Sequence, residues 1–167
     1  MKKSYVVLLG LLLMFAGLVW SQTSAPPTLA TSEVSMDTGN GFGSTGLYAR
    51  RFSNVDVNVG SDITLTQSAT NGDSFTINTN GIYAISYTNY SANGDTSIIS
   101  LNSSGATTTN SLTVANRLCA FSMSAGQLHS CSITLGLSSG DVIRAHSSTA
   151  GQTDGNDYVR FVITRVR

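Results

Sequence analysis

Lysine is almost missing from this chain: Lys2 and Lys3 are the only two. Beyond them seven arginines stand against nine acidic residues, a net of −2. A nucleic-acid surface needs clustered lysine and arginine. The one adjacent basic pair, Arg50–Arg51, reads as an exposed strand edge rather than a phosphate clamp. Nucleic acid is therefore excluded as a partner. Histidine and cysteine are also scarce, at two each. His129 lies two residues from Cys131, but no fourth zinc ligand is evident. No nucleophile-elbow sequence accompanies His129 or His146, and His146 reads as an exposed or core-edge residue. The expectation is a protein that is not an enzyme, with no catalytic residue, no metal and no cofactor. Charged residues make up 11% of the chain against 41% hydrophobic ones, which excludes a disordered polymer. No window after residue 21 carries a sustained i, i+3, i+4, i+7 apolar stripe, which excludes a helical domain.

What is present begins with a leader. Residues 1–21 show the three parts of a secretory signal. Lys2 and Lys3 supply the positive end, Tyr5 to Trp20 the apolar run, and Val19 and Ser21 the small or medium residues before a cut. The alternative is an uncleaved signal anchor, the only route to a membrane; its sixteen apolar residues fall short of the ~20 a spanning helix needs. Residues 22–45 read as a flexible linker, since they hold Pro26–Pro27 and the run Thr38-Gly39-Asn40-Gly41. Within it only Val34, Met36 and Phe42 look able to pack. Residues 46–167 then form the domain.

That domain is centred on Phe75 to Tyr90. Phe75 and Ile77 alternate with polar residues, Asn80–Gly81 reads as a hairpin turn, and a longer strand follows. Tyr83, Ile85 and Tyr87 share one face of that strand; Ile82, Ala84 and Tyr90 share the other. The closing stretch, Tyr158 to Val166, is likewise apolar on both faces. A sandwich covers only the inner face of each sheet, so the second face reads as a subunit contact or a groove floor. Turn signals at Gly60-Ser61-Asp62, Asn71-Gly72-Asp73, Asn93-Gly94-Asp95 and Ser139-Gly140-Asp141 divide the rest into short strands. About ten strands predict an all-β, two-sheet antiparallel sandwich or jelly roll.

The spacing Phe75, Gly81, Tyr83, Ile85, Tyr87 resembles the motif shared by C1q-type heads and tumour necrosis factor-like domains, with Ile85 in place of an aromatic. The run Leu135 to Val142, with Gly140–Asp141, and the closing Phe161-Val162-Ile163 resemble two further stretches of that family. The upstream half departs from it, and no collagen-like stalk precedes the head. The resemblance covers 46–167 and implies a homotrimer of jelly rolls. It points Tyr83, Ile85 and Tyr87 into the sandwich and Ile82 and Ala84 toward the trimer axis, with Tyr158 and Val162 beside them. It also suits a bacterial or phage-type surface protein carrying a signal peptide.

Cys119 and Cys131 lie at equal distances from Ala125. In an exported protein an even count suggests a disulfide, closing a loop worth about 3 kcal/mol; the alternative is two buried thiols. Asn93-Gly94-Asp95 and Asp154-Gly155-Asn156-Asp157 offer oxygen ligands for calcium, though turn chemistry explains them equally. Asn89 and Asn102 head glycosylation acceptor patterns. Two functions compete. One is a secreted or cell-surface trimeric recognition module binding a protein or glycan through loops or subunit grooves, with Tyr48, Tyr90 and Tyr158 as contact aromatics. The other is a structural surface, filament or virion-decoration subunit without a small-molecule ligand.

Overall fold

The alternating apolar pattern becomes ten strands in a computed structural model that describes residues 32–46, 48–148 and 158–167. In chain order they are β1 (Glu33–Phe42), β2 (Arg50–Val59), β3 (Ile63–Thr66), β4 (Ser74–Ile77) and β5 (Gly81–Ser91). There follow β6 (Asp95–Leu101), β7 (Arg117–Met123), β8 (Gln127–Leu137), β9 (Val142–Ser147) and β10 (Arg160–Arg165). Two single 3-10 turns, Thr109–Ser111 and Val114–Asn116, lead into β7. The first sheet runs β2-β1-β10-β5-β8 and the second β3-β4-β9-β6-β7, every pairing antiparallel. This is a two-sheet jelly roll. The leader at 1–21 lies outside the described residues.

Phe161 is the hub of the core. Its ring stacks on Phe75 at 4.4 Å between centroids and meets Tyr87 at 6.0 Å and Phe52 at 6.1 Å. It thereby joins β10 to β2, β4 and β5. Val34, Met36, Tyr83, Ile85, Ile143 and Ile163 are buried around it. Each sheet contributes alternate residues, as the pleat requires.

Two expectations fail here. The stretch 22–45 is not all linker, because β1 occupies Glu33–Phe42 and sits between β2 and β10. The domain therefore begins well before residue 46. Val34 and Met36 fill the core, while glycines and polar residues in the same strand hid it. Burial of alternate residues outweighs weak strand propensity.

Asn80–Gly81 is not a hairpin turn either. β4 belongs to the second sheet and β5 to the first, so this connection crosses between layers. Phe75 and Ile77 thus face Tyr83, Ile85 and Tyr87 across the core rather than lying beside them. Gly81 serves a close approach instead: a Cβ there would stand 2.4 Å from the Arg167 carbonyl oxygen and 2.7 Å from Arg165 Nε. The Tyr83 hydroxyl donates to Thr79 O at 2.6 Å and Ser139 N donates to Asn80 Oδ1 at 2.7 Å, fixing the crossing.

Candidate functional site

β5 and β10 pair directly, which aligns their outward residues in rows across the first sheet. Ala84 stands opposite Thr164 on one side and Thr134 on the other. Ser86 stands between Val162 and Ser132, and Val162 in turn faces Ser35. These small side chains leave a shallow depression of about 160 Å³ in the sheet surface. Ile82 leans toward Gly136 at its margin, where an added Cβ would lie 3.9 Å from Ile82 Cδ1. Ile82 remains 37% exposed, and Ala84 and Val162 are half-buried. Neither face residue of β5 is sealed inside the chain. Tyr158, just before β10, is 63% exposed.

The face is nearly free of charge at its centre. Glu33 Oε2 accepts from the Thr164 hydroxyl at 3.3 Å, and Arg160 pairs with Asp56 at 3.4 Å toward β2. The outward residues of β8, Ser130, Ser132, Thr134 and Gly136, are all exposed. Their period of two is visible in the sequence as small residues alternating with Cys131, Ile133 and Leu135, but none is apolar, so the pattern alone does not mark a contact face.

Inside the sandwich the motif residues have structural duties. Tyr83, Ile85, Tyr87 and Phe161 are buried. Gly140 takes a φ of 95°, and Asp141 Oδ2 accepts from Ser138 N at 2.8 Å to close the turn. Asp141 Oδ1 accepts from Asn102 Nδ2 at 2.8 Å, so the Asn102 amide is engaged. Cys119 and Cys131 form a disulfide with Cα atoms 6.3 Å apart. It joins β7 to β8, the last strand of each sheet, and closes that side of the sandwich.

Buried polar residues overturn four further expectations. Arg50 does not lie on an exposed edge: it is 1% exposed, stacks on Phe42 at 4.8 Å, and donates to Asn89 Oδ1. Asn89 is no accessible glycosylation site, since it is buried and its Nδ2 donates to Ser97 Oγ at 2.8 Å and Asp95 Oδ2 at 3.2 Å. Asp95 does not offer its carboxylate to solvent calcium. It accepts from the Ser97 hydroxyl at 2.9 Å, the Ser147 hydroxyl at 2.5 Å and the Ser148 amide and hydroxyl at 2.8 Å each. His146 is fully buried rather than at an edge, with Nε2 3.0 Å from Ser103 Oγ. Burial, and then Arg144, push its pKa down to about 4. Among the described residues no group of three or more His, Cys, Asp or Glu could hold a metal. The Asp154–Asp157 loop lies outside the described residues.

No protein-family model matches the chain, and no curated protein does. Solved structures do. Murine APRIL at pH 8.0 aligns with a TM-score of 0.58 and 12% identity, covering 81% of this chain and 98% of that one. Murine APRIL at pH 8.5 gives 0.59 and 13% over the same shares. Pika GITRL gives 0.50 and 12%, over 82% of this chain and 96% of its own. At such identities the likeness is one of fold. The chain has the C1q and tumour necrosis factor-like jelly-roll fold; these mammalian neighbours lend no support to a bacterial or phage-type origin.

Proposed function

We propose that the protein is an exported or cell-surface homotrimer that recognises a protein or glycan through its loops or the grooves between subunits. The outer face of β10-β5-β8 carries this reading. It is broad, uncharged at its centre and made of side chains small enough for a close approach, with Ile82, Ala84 and Val162 outermost. The apolar strip that Ile82, Ala84 and Val162 form among these small polar residues is stabilised when another surface covers it. The jelly-roll fold and the resemblance of the Phe75–Tyr87 motif to trimeric heads support a threefold arrangement.

Two measurements test it. Light scattering on the purified chain should return three times the monomer mass; a monodisperse monomer refutes the trimer. Ala84→Arg places a long cation in the centre of the face and should yield monomers that keep a β-type circular dichroism spectrum. Ala84→Arg trimers would refute the facing assignment. A protein and glycan array should then find a saturable ligand; silence there would favour the purely structural alternative.

A further inference from the structure

β2 and β3 are the outermost strands of their sheets on the side away from the disulfide. Between β2 and the 67–73 connection lies a second depression, of about 350 Å³. Its wall is held from several directions. Ser44 N donates to Ala69 O at 2.9 Å, Thr45 N to Thr70 O at 2.8 Å and Asp73 N to Arg50 O at 2.8 Å. Behind it, Arg144 Nη1 reaches the carbonyls of Asn71, Gly72 and Asp73 at 3.4, 3.3 and 3.4 Å, and its Nε donates to Ser103 O at 3.1 Å. Glycines let these backbones touch: a Cβ on Gly105 would stand 1.9 Å from Asn71 O, and one on Gly72 2.4 Å from Ala49 O. A wall fixed in this way loses little entropy on binding.

Among the lining residues Arg51 is the one cation and Asp73 the one acid. Arg51 lines the depression and, among the described residues, its side chain makes neither a hydrogen bond nor an ion pair, unlike those of Arg160 and Arg165. The acid on the same wall, Asp73, is buried and spends Oδ2 on Phe52 N at 2.8 Å and Oδ1 on Ser68 N at 3.1 Å. Burial raises its carboxyl pKa against those two bonds and the charges of Arg51 and Arg144, and it is the two bonds that occupy its oxygens. The rest of the lining is neutral, with polar Asn40, Ser53, Gln67 and Ser68 beside apolar Phe52 and Ala69. Gln67 is itself positioned by donating from Nε2 to Phe52 O at 3.2 Å.

One planar guanidinium matches one carboxylate in a bidentate pair, whereas a polysulfate or polyphosphate calls for several cations together. The other nearby arginines do not serve, since Arg50 is buried and Arg144 is occupied by carbonyls. Neutral amides and hydroxyls suit sugar hydroxyls. The volume lies at the lower end of the roughly 300–1,000 Å³ typical of small-ligand sites. We propose that this depression binds a carboxylate-bearing sugar residue, with Arg51 on the carboxylate and Asn40, Ser53, Gln67 and Ser68 on the ring hydroxyls. The proposal rests on the recognition reading above and names its ligand class.

Glucuronic acid and glucose are the probes, titrated into the full chain while backbone amide resonances are followed. Glucuronic acid should saturably shift the amides of Arg51, Gln67 and Ser68, and glucose at equal concentration should not. Arg51→Gln should weaken the glucuronic acid response at least about tenfold, the loss expected of a charged hydrogen-bonding partner. The Arg51 side chain has no hydrogen bond or ion pair among the described residues to lose, so resonances remote from the depression should stay in place and report an intact fold. Equal shifts with glucose, or an Arg51→Gln titration like the parent's, overturn the site. A protein or neutral glycan found by the array while glucuronic acid leaves these amides unmoved overturns this ligand class alone. A chain with no ligand of any kind overturns the recognition reading with it.

Discussion

His146 shows what burial does to one side chain. Its unfolded imidazole takes a proton near the ordinary value of 6.5, but in the folded chain it does so only at about 4. Between those values the unfolded state binds more protons, so stability rises with pH across that window and is lost as pH falls through it. The full loss is on the order of 3 kcal/mol, complete once the pH drops below the folded value. Urea midpoints between pH 7 and 4 should fall accordingly, and His146→Leu should flatten that slope; identical slopes would contradict the assignment. Asp62 acts in the same direction lower down. The hydroxyls of Thr79 and Ser32, with Arg165 nearby, outweigh burial and hold its carboxyl below the ordinary aspartate value. Its contribution is therefore present above the unfolded value and disappears only as pH falls through the lower folded one. Asp73, raised by burial, works the other way, and its contribution is lost as pH rises through its folded value. The comparison of parent with His146→Leu isolates the histidine because both chains carry the two acids.

At the scale of elements, β1 is the part that composition concealed. It carries Thr38 at φ 55° and Gly41 at φ 70°, conformations that read as a turn, and its register with β2 shifts twice. Yet it fills the gap between β2 and β10 and buries Val34 and Met36. Without it β10 becomes an open edge, β2 loses its partner, and the backbone groups of both stand unpaired. A chain that begins at residue 46 should accordingly fail to give a cooperative thermal transition or should precipitate. One that begins at residue 32 keeps β1 and the bond from the Ser32 hydroxyl to Asp62 Oδ2 at 2.8 Å, and should fold. Circular dichroism of the two truncations decides the point; a sharp transition from the shorter chain would show β1 to be dispensable. The other strands were legible because turn residues bracket them and their apolar residues alternate. The partners they chose were not, since period-two alternation states only that a face is buried and not which sheet buries it.

For the whole molecule, the two long sides of the sandwich are built differently. On one, the disulfide joins the terminal strands of both sheets; on the other, the depression lined by Arg51 lies between β2 and the 67–73 connection. Reducing the disulfide should lower stability by about 3 kcal/mol, the loop-closure value for a short loop, with the β spectrum preserved. An unchanged urea midpoint would show that the bond constrains nothing the strands do not already hold. The broad face of the first sheet lies between these two sides, and the proposed trimer would form there.

The composition and the alternation alone determined an all-β sandwich of about ten strands, and they marked two strands as apolar on both sides. They reached that far because low charge, short period-two runs and repeated Gly, Asn and Asp turns leave no other economical way to bury these residues. Only the tertiary structure decided that β4 and β5 lie in opposite sheets, that a polar N-terminal stretch is a central strand, and that Arg50, Asn89 and His146 are interior. Each of those outcomes depends on partners distant in the chain. A guanidinium can be buried where an amide and an aromatic ring from other strands meet it, and no local pattern announces that meeting.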